Sequence, residues 1–322
     1  MFNLITIGDA TIDNIIIIDE AQVKCDLKKD TRLLCLNYAE KIPIKHSAQS
    51  IGGNATNIAV GCKKLGADVG IITELGDDIN GFMIKHELEI KKINTVGIKM
   101  IKGAETRYSV ILNYRGERTI LSHYSDRQYT LPKIPKTQWL YYTSLGKSFE
   151  KLQKQLLKYI FKNPETKLAL NPGSYQMKEG LLAIKKILPH VNLLFVNRQE
   201  AEKLVGKKKT TSALITALLK NGVRQVVMTD GEKGSFATDG KDIYFMKSYP
   251  IKAKAKTGAG DAYASGFLSA LLHQKNPTEA MRWGTANASG VIREIGAQKG
   301  LLNQKQILQT IKRYPLIKPI KI

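Results

Sequence analysis

Residues 257–261 read Thr-Gly-Ala-Gly-Asp and combine a glycine turn with a carboxylate. The apolar stripe of residues 262–272 predicts that a helix follows directly. Glycines on both sides of Ala259 let backbone N–H groups crowd around an anion, and the positive end of the helix points at the same place. Asp261, at the start of this helix, is placed to take a proton from an attacking hydroxyl. The run therefore predicts phosphoryl transfer to an alcohol.

A second polar group lies near the N-terminus. Gly52 and Gly53 allow close backbone approach at the entrance to a predicted helix, and Asn57 offers the donor and acceptor groups that suit a polyol. Asp13, just past the first predicted strand, supplies a carboxylate that accepts hydrogen bonds from sugar hydroxyls. Each feature alone is also typical of a turn or a helix cap. Together they predict a sugar-binding group.

Alternating strand-like and helix-like stretches must position these residues. Strands are predicted at residues 4–8, 69–73, 139–143, 168–171, 193–197 and 226–229. Helices are predicted at residues 54–65, 148–160, 177–188, 199–205 and 210–221. The alternation predicts an α/β fold with a doubly wound, mostly parallel sheet, helices on both faces, and ligands at the carboxyl ends of the strands. Because no repeat or low-complexity linker divides the chain, we expect a single domain over residues 1–322.

Two stretches, residues 14–50 and 98–124, break the alternation. They contain short β-like runs at residues 15–18, 33–36, 41–45, 107–114 and 117–124, the last two joined by the turn pair Arg115-Gly116. These insertions form either an ordinary antiparallel edge of the main sheet or a small separate sheet. We favour a separate sheet that closes over the active site as a lid, because closure would keep water from competing as acceptor. Unpaired lid strands also predict a homodimer.

The amino-acid composition and the net charge limit the classes of protein to which the chain can belong. The net charge is +22, but the lysines are spread along the chain and aromatics are only 7%, so we expect no nucleic-acid partner. The positive potential instead favours anionic substrates such as nucleotides. The chain has no apolar run of membrane-spanning length and no secretory signal, and its three cysteines lack metal-ligand spacing. We therefore expect a cytoplasmic protein with reduced thiols and no membrane partner.

Five motifs in order resemble those of the ribokinase-like (PfkB) carbohydrate kinases. They are Gly52-Gly53-x3-Asn57, Asn171-Pro172, Asn197-x-x-Glu200, Thr229-x-Gly231-x-x-Gly234 and the run 257–261. The resemblance extends from residue 5 to about residue 302. It implies a ribokinase-like fold and an ATP-dependent carbohydrate kinase.

The resemblance also implies a role for each motif. Asp261 would be the catalytic base on a primary hydroxyl, beside an anion hole for the γ-phosphate formed by Gly258, Ala259 and Gly260. Glu200 would act on Mg²⁺, through water, close to the phosphates. The nucleotide would be bound by Asn197, Thr229, Gly231 and Gly234, with Asn287 beside the adenine. The sugar would be held by Asp13, Gly52, Gly53 and Asn57.

Departures from the family pattern limit what the resemblance implies. Ala255 occupies a position where many relatives carry an acidic residue that binds a monovalent cation, so we expect no potassium activation. Ribose-specific members place a glutamate where this chain has residues 144–146, Ser-Leu-Gly, which weakens a strict ribose assignment. A free sugar is the leading acceptor. One alternative acceptor is a nucleoside, and another is a sugar phosphate bound by Arg107, Arg115 and Arg118. A protein without catalytic activity that senses sugars or nucleotides is the remaining hypothesis.

Overall fold

The computed structural model describes residues 1–26, 31–115 and 117–322. Within these ranges the strands are β1 (Phe2–Ile7), β2 (Thr11–Ile17), β3 (Gln22–Asp26), β4 (Thr31–Cys35), β5 (His46–Gly52), β6 (Val69–Gly76), β7 (Asn94–Ile101), β8 (Tyr108–Tyr114), β9 (Glu117–His123), β10 (Thr137–Tyr142), β11 (Lys167–Leu170), β12 (Leu193–Asn197), β13 (Val226–Thr229), β14 (Ser235–Thr238), β15 (Ile243–Met246) and β16 (Ile320–Lys321). The helices are α1 (Asn54–Lys64), α2 (Ile79–Ile90), α3 (Phe149–Lys162), α4 (Ser174–Glu179), α5 (Leu181–Ile184), α6 (Arg198–Val205), α7 (Thr211–Leu219), α8 (Ala259–Leu272), α9 (Pro277–Val291) and α10 (Gln304–Arg313).

The large sheet has the strand order β16-β15-β14-β13-β12-β11-β10-β1-β6-β7. The strands from β13 to β7 run parallel, and β14, β15 and β16 extend one edge in antiparallel fashion. The central strand β1 is a near-continuous apolar run, as expected for a parallel strand covered on both faces. The strand order reverses at β1, which lies between β10 and β6, and this is where such sheets bind ligands. The predicted doubly wound fold is confirmed.

Two apolar cores hold helices against the two faces of this sheet. One core includes Ile58 of α1, Phe267 of α8 and Trp283 of α9. The other includes Leu156 of α3 and Leu214 of α7. The longest helix, α9, has 15 residues, and no helix of the described residues is both long and apolar enough to cross a membrane.

A second sheet of four strands lies apart from the large one, with the order β5-β2-β8-β9. Strand β2 pairs antiparallel with β5 and parallel with β8, so this small sheet joins strands from both insertions. The alternative of an ordinary edge of the main sheet is therefore wrong for these strands. Residues 11–13 belong to β2 of the small sheet, whereas residues 98–101 belong to β7 of the large one. Strands β3 and β4 form a separate two-stranded ribbon, and Gly116 of the predicted turn lies outside the described residues.

Two predicted elements are wrong in detail. The helix predicted over residues 177–188 is broken at Gly180, whose φ of 74° cannot continue a right-handed helix. The strand predicted at residues 41–45 is absent from the described residues there, because Pro43 lacks the N–H that a strand ladder needs; the strand begins at His46 instead. Helix α2 was not predicted; it begins where Asp78 Oδ1 accepts a hydrogen bond from Gly81 N at 2.8 Å.

Candidate active site

Asp261 lies in the first turn of α8 and faces the start of α1. Its carboxylate accepts hydrogen bonds from Asn57 Nδ2 at 2.8 Å and from Asn54 Nδ2 at 3.1 Å. Burial raises the pKa of Asp261 to about 6, although both hydrogen bonds oppose the shift; the charges of Asp13 and Glu200 raise it further. The carboxylate is thus oriented by two amides and changes charge close to neutral pH.

The N-terminus of α8 is fixed by tight packing. Gly258 caps the helix with a φ of 76°, and a Cβ there would lie 2.5 Å from Ala297 Cβ, so both conformation and space require glycine. One turn on, Tyr263 is buried and donates a hydrogen bond to Ser235 Oγ at 2.9 Å. A Cβ on Gly260 would meet no atom within 4 Å. The start of α8 is therefore tightly packed at Gly258 and Tyr263, whereas Gly260 faces open space.

A cleft of about 790 Å³ runs along this helix end. The carboxyl ends of β12 and β13 form one wall, as predicted from the strand pattern. The predicted residues that line it are Asn197, Glu200, Thr229, Gly231, Gly234, Gly258, Ala259, Gly260 and Asp261. The structure therefore brings the predicted anion site and nearly all of the predicted nucleotide site into one cleft.

Asn197 and Glu200 form a reciprocal cap at the start of α6. Asn197 Oδ1 accepts a hydrogen bond from Glu200 N, and Glu200 Oε2 accepts one from Asn197 N, both at 2.8 Å. Burial raises the pKa of Glu200 above its ordinary value. No group of three metal-ligating side chains occurs among the described residues. A single carboxylate at a phosphate-sized cleft fits Mg²⁺, which proteins bind through one or two carboxylates, waters and substrate phosphates.

The backbone conformation of the loop after β13 favours glycine at two positions. Gly231 and Gly234 have φ values of 56° and 122°, and a Cβ on Gly234 would lie 2.1 Å from the carbonyl oxygen of Met246. Arg198 Nε donates to Asp230 Oδ2 at 2.7 Å and so ties this loop to α6. Thr229 ends the strand that leads into the loop. The backbone here can approach a nucleotide closely.

The structure does not bring Asn287, which the sequence predicts beside the adenine, into the cleft. Its side chain is completely buried, where Nδ2 donates to Ala262 O at 2.9 Å and to Ser265 Oγ at 3.2 Å. Its Oδ1 accepts a hydrogen bond from Leu302 N at 2.9 Å. Asn287 thus holds α9 against α8, and its polar atoms are already paired. The residues of α9 and of the following segment that do line the cleft are Thr285, Ala288, Ser289 and Ile292, which the sequence did not single out because α9 was not predicted.

Asp13 lies on β2 of the small sheet and is 7% exposed. Burial raises the pKa of Asp13 to about 6, opposed by the charge of Arg107 and a hydrogen bond with Ser109. Gly52 makes room for this carboxylate, since a Cβ there would lie 2.1 Å from Asp13 Oδ2. Gly53 has a φ of 91°, and a Cβ there would lie 2.5 Å from the Asp9 carbonyl oxygen. The two glycines shape the predicted sugar site by the space they leave.

Sequence reasoning missed a buried cluster next to Asp13. The guanidinium of Arg107 binds Asp9 through Nη1 and the hydroxyl of Tyr124 through Nη2, and it lies 3.7 Å from the centre of the Tyr124 ring. Tyr129 donates to Asp9 Oδ1 at 3.3 Å. Burial raises the pKa of Asp9, and the charge of Arg107 opposes the shift. The position of Asp9 directly after β1, at the carboxyl edge of the sheet, is the sequence signal that could have found it.

The small sheet also reaches the cleft through charged residues. Glu117 Oε1 lies 2.9 Å from Lys256 Nζ, which lies 3.6 Å from Glu232 Oε1 in the nucleotide loop. Arg118 lines the cleft, and partial burial lowers its pKa while the charges of Glu117 and Asp261 oppose that shift. Arg115 is exposed, with its guanidinium 5.0 Å from the centre of the Tyr114 ring.

A large α/β sheet with a glycine-rich helix end, a nucleotide-sized cleft and a small second sheet defines the class of ribokinase-like kinases. The family model described as pfkB family carbohydrate kinase matches residues 13–304. The chain therefore belongs to the pfkB family of carbohydrate kinases, and it is an ATP-dependent phosphotransferase with an alcohol group as acceptor.

Curated relatives are similar over most of their length. The 5-dehydro-2-deoxygluconokinase of Lacticaseibacillus casei is 26% identical over 84% of this chain and 88% of that protein. The ribokinase of Haemophilus influenzae is 27% identical over 81% of this chain and 87% of that protein. The ATP-dependent 6-phosphofructokinase of Thermoanaerobacterium thermosaccharolyticum is 23% identical over 82% of this chain and 86% of that protein.

Solved structures confirm the fold. The ribokinase of Arabidopsis thaliana, complexed with ribose and ATP, superposes with a TM-score of 0.78 at 21% identity, covering 97% of this chain and 99% of that one. The nucleoside kinase of Methanocaldococcus jannaschii gives a TM-score of 0.77 at 20% identity, with the same coverage. The ribokinase-like fold predicted from the five motifs is thus confirmed over nearly the whole chain.

Proposed function

We propose that this enzyme transfers the γ-phosphoryl group of ATP to a hydroxyl of a free sugar, assisted by Mg²⁺, with Asp261 as the catalytic base. The observation that carries the proposal is the Asp261 carboxylate, which two asparagine amides orient at the open N-terminus of α8. The base and the anion site then lie within the first turn of α8, which lines the nucleotide-sized cleft. This arrangement suits phosphoryl transfer, which depends mainly on positioning and charge stabilisation.

Asp261 is suited to accept the proton of the attacking hydroxyl. With a pKa of about 6 the carboxylate is mostly ionised at pH 7 and still basic enough to hold a proton in the transition state. Asn57 and Asn54 donate to its two oxygens and fix the plane of the carboxylate. The proton would pass from the sugar oxygen to Asp261 as that oxygen bonds to the γ-phosphorus, while the bond from this phosphorus to the β–γ bridging oxygen breaks and ADP leaves.

The transferred group would be held at residues 258–260. The first N–H groups of a helix have no partner within the helix and carry partial positive charge. Gly260 leaves open space beside them, so phosphoryl oxygens can reach the backbone. Arg118, which lines the same cleft and is attracted to Asp261, adds a full positive charge at the transfer point.

Glu200 is the residue that would hold Mg²⁺, through water, beside the nucleotide phosphates. Its carboxylate lines the cleft at the start of α6 and is fixed there by its bond from Asn197 N. When bound, the metal would neutralise charge on the phosphate oxygens. Thr229, Gly231 and Gly234 supply the backbone against which the nucleotide lies, and Asn197 lines the same cleft with its Oδ1 held by Glu200 N.

The four-stranded sheet would act as the lid of a single catalytic domain spanning residues 1–322. It brings Asp13 to the sugar and Arg118 to the cleft, and its Glu117 meets Lys256 directly before the anion site. The separation of Glu117 from Lys256 in sequence makes this contact a direct tie between lid and core. A closed lid excludes water, which would otherwise take the phosphoryl group.

We also propose that the protein forms a homodimer through the small sheet. Strand β9 is an edge strand in the described sheet order, and it exposes Ile120 and Leu121 at 45% and 56%. Pairing of such an edge with a second copy would cover these side chains. Sedimentation or light scattering of the purified protein tests this, and a monomer at all concentrations contradicts it.

A substrate panel tests the proposed function. ADP formation is measured with ATP and Mg²⁺ against free pentoses and hexoses, sugar phosphates, and nucleosides, with EDTA in a parallel set. We expect turnover with at least one free sugar and its loss with EDTA. A nucleoside as the best acceptor would instead support the nucleoside kinase alternative, and absence of turnover on every compound would contradict the proposal.

A further inference from the structure

We propose that the acceptor is electrically neutral, and that the buried pairing of Arg107 with Asp9 excludes sugar phosphates and sugar acids. This rests on the proposed function, since it concerns the acceptor of that same site. The relatives are named for different acceptors, so their names do not decide between these classes. The charges at the end of the sugar site that lies away from Asp261 do decide between these classes.

The sugar site has a direction. Asp261 marks the end at which the hydroxyl would react; it is bound by Asn54 and Asn57 of α1, and Asp13 lies against Gly52, two residues before that helix. Asp13 pairs with Ser109 of β8, and Arg107 directly precedes β8. The order is therefore Asp261, Asp13, Arg107. An anionic group on the non-reacting end of a sugar would come to lie next to Arg107.

Arg107 is not available to such a group. Its side chain is 16% exposed and that of Asp9 is 7% exposed, so the pair is largely withdrawn from water. Nη1 binds the carboxylate, Nη2 binds the Tyr124 hydroxyl, and the guanidinium face lies on the Tyr124 ring. Nε has no hydrogen-bond partner among the described residues, but it is buried, so the Nε–Nη edge through which arginine pairs with a phosphate or carboxylate is closed to solvent, and Asp9 already balances the charge of the guanidinium.

Asp9 is itself held in place. Tyr129 donates to Asp9 Oδ1 at 3.3 Å, and Ser144 Oγ donates to Oδ2 at 3.4 Å. The Asp9 N–H donates to Ser144 O at 2.7 Å, which fixes the backbone as well. An anion that displaced Asp9 from Arg107 would leave this fixed carboxylate behind. A buried carboxylate without its partner is costly.

Other cations are badly placed to replace Arg107. Arg115 is exposed and lies against Tyr114, and Arg118 lies at the reacting end. Arg127 donates to Glu105 O at 2.6 Å and is 9% exposed, and its charge, like that of Arg107, acts on the buried Asp9. An anionic acceptor would then lie near Asp13 without a cation of its own. Neutral hydroxyls, by contrast, can donate to Asp13 without any loss of charge balance.

The wild-type enzyme provides the first test. Turnover and calorimetric binding are measured for matched compounds: D-fructose with its 1- and 6-phosphates, D-ribose with its 5-phosphate, D-glucose with D-gluconate, and adenosine with AMP. We expect the best compound to be neutral and to exceed its anionic partners by at least about 100-fold in kcat/KM, or in affinity if nothing turns over. An anionic compound within tenfold of the best neutral one overturns the proposal.

The two proposals can fail separately. Turnover of an anionic sugar would overturn the neutral acceptor and leave the kinase function intact. Preferential binding of a neutral sugar without turnover would contradict the kinase function and support the neutral site. Binding of none of the compounds would contradict both.

Asp9→Asn gives the second test. Because the variant removes the charge that occupies Arg107 while keeping the shape of the side chain, the preference for neutral over anionic compounds should fall by about tenfold or more. Asp19→Asn is the matched control, since Asp19 forms an exposed ion pair with Lys45 at 2.9 Å and should leave the preference unchanged. An unchanged preference in folded Asp9→Asn overturns the role of the pair; if this variant does not fold, the wild-type panel decides.

Discussion

Replacing Asp261 by asparagine should abolish most of the turnover while leaving the fold intact. The amide cannot accept the proton of the attacking hydroxyl, and general base catalysis contributes about 100- to 10,000-fold to rate. This corresponds to about 3 to 5 kcal/mol in the activation barrier. Alignment by Asn57 and Asn54 is also disturbed, because the new amide N–H2 faces the N–H2 group of one of them.

Stability and activity should respond to this change in opposite directions. The pKa of Asp261 is raised from 3.8 to about 6 in the folded protein, so the folded state holds the proton more tightly than the unfolded state. The free energy of unfolding therefore decreases as pH rises from about 4 to about 6. Asparagine removes this penalty, and we expect the melting temperature at pH 7.5 to be at least that of the wild type.

The assay is coupled ADP formation with the best acceptor of the panel, together with calorimetric binding of ADP and thermal melts at pH 4 and pH 7.5. We expect kcat to fall at least 100-fold and the affinity for ADP to change by less than about threefold. Asp19→Asn is the control, because it makes the same chemical change at an exposed position. Asp230→Asn is a poor control because Asp230 binds Arg198. Turnover of Asp261→Asn within tenfold of the wild type would refute the proposed base.

Four further outcomes are expected. The value of kcat/KM should fall tenfold per pH unit below about pH 6, as Asp261 becomes protonated, and a flat profile down to pH 5 would contradict this. Asn57→Ala should move the acidic limb of the pH profile to higher pH, because a hydrogen bond that stabilises the charged Asp261 is lost. Asn14→Ala removes a hydrogen bond on the small sheet instead and should leave the limb in place. Glu200→Gln should raise the Mg²⁺ concentration needed for half-maximal rate by about tenfold, with an unchanged requirement counting against Glu200. Rates should be equal in sodium and potassium chloride, since Ala255 offers no carboxylate, and a severalfold increase with potassium would disprove this.

The sequence predicted those parts of the molecule that local patterns determine. The apolar run of β1 and the stripe of Tyr263 and Phe267 on α8 are visible because burial imposes a fixed period. Gly258 was found because a tight turn at the start of a helix leaves few other residue types. Asn287 was misplaced because neighbouring helical positions differ by about 100° in direction, which decides between cleft and core.

Contacts between distant parts of the chain could not be read in this way. Asp9 and Arg107 are separated by 98 residues, and nothing in either local pattern indicates that they meet. The tie between Glu117 and Lys256 spans 139 residues and depends on how the small sheet lies over the large one. Such pairs follow from the fold as a whole, which no local pattern describes.

The small sheet does more than cover the site, because Asp13 is one of its own residues. Under the proposed function, the residues that would meet the acceptor come partly from β2 and the strands beside it, whereas Asp261, Glu200 and the nucleotide loop belong to the helices and strand ends of the large sheet. Recognition of the alcohol and transfer of the phosphoryl group would then depend on largely separable parts of the structure, although Arg118 of β9 would serve transfer from the small sheet. Substitutions confined to the small sheet can exchange one alcohol for another while the transfer machinery is inherited unchanged, which gives such a scaffold a short evolutionary path to new acceptors.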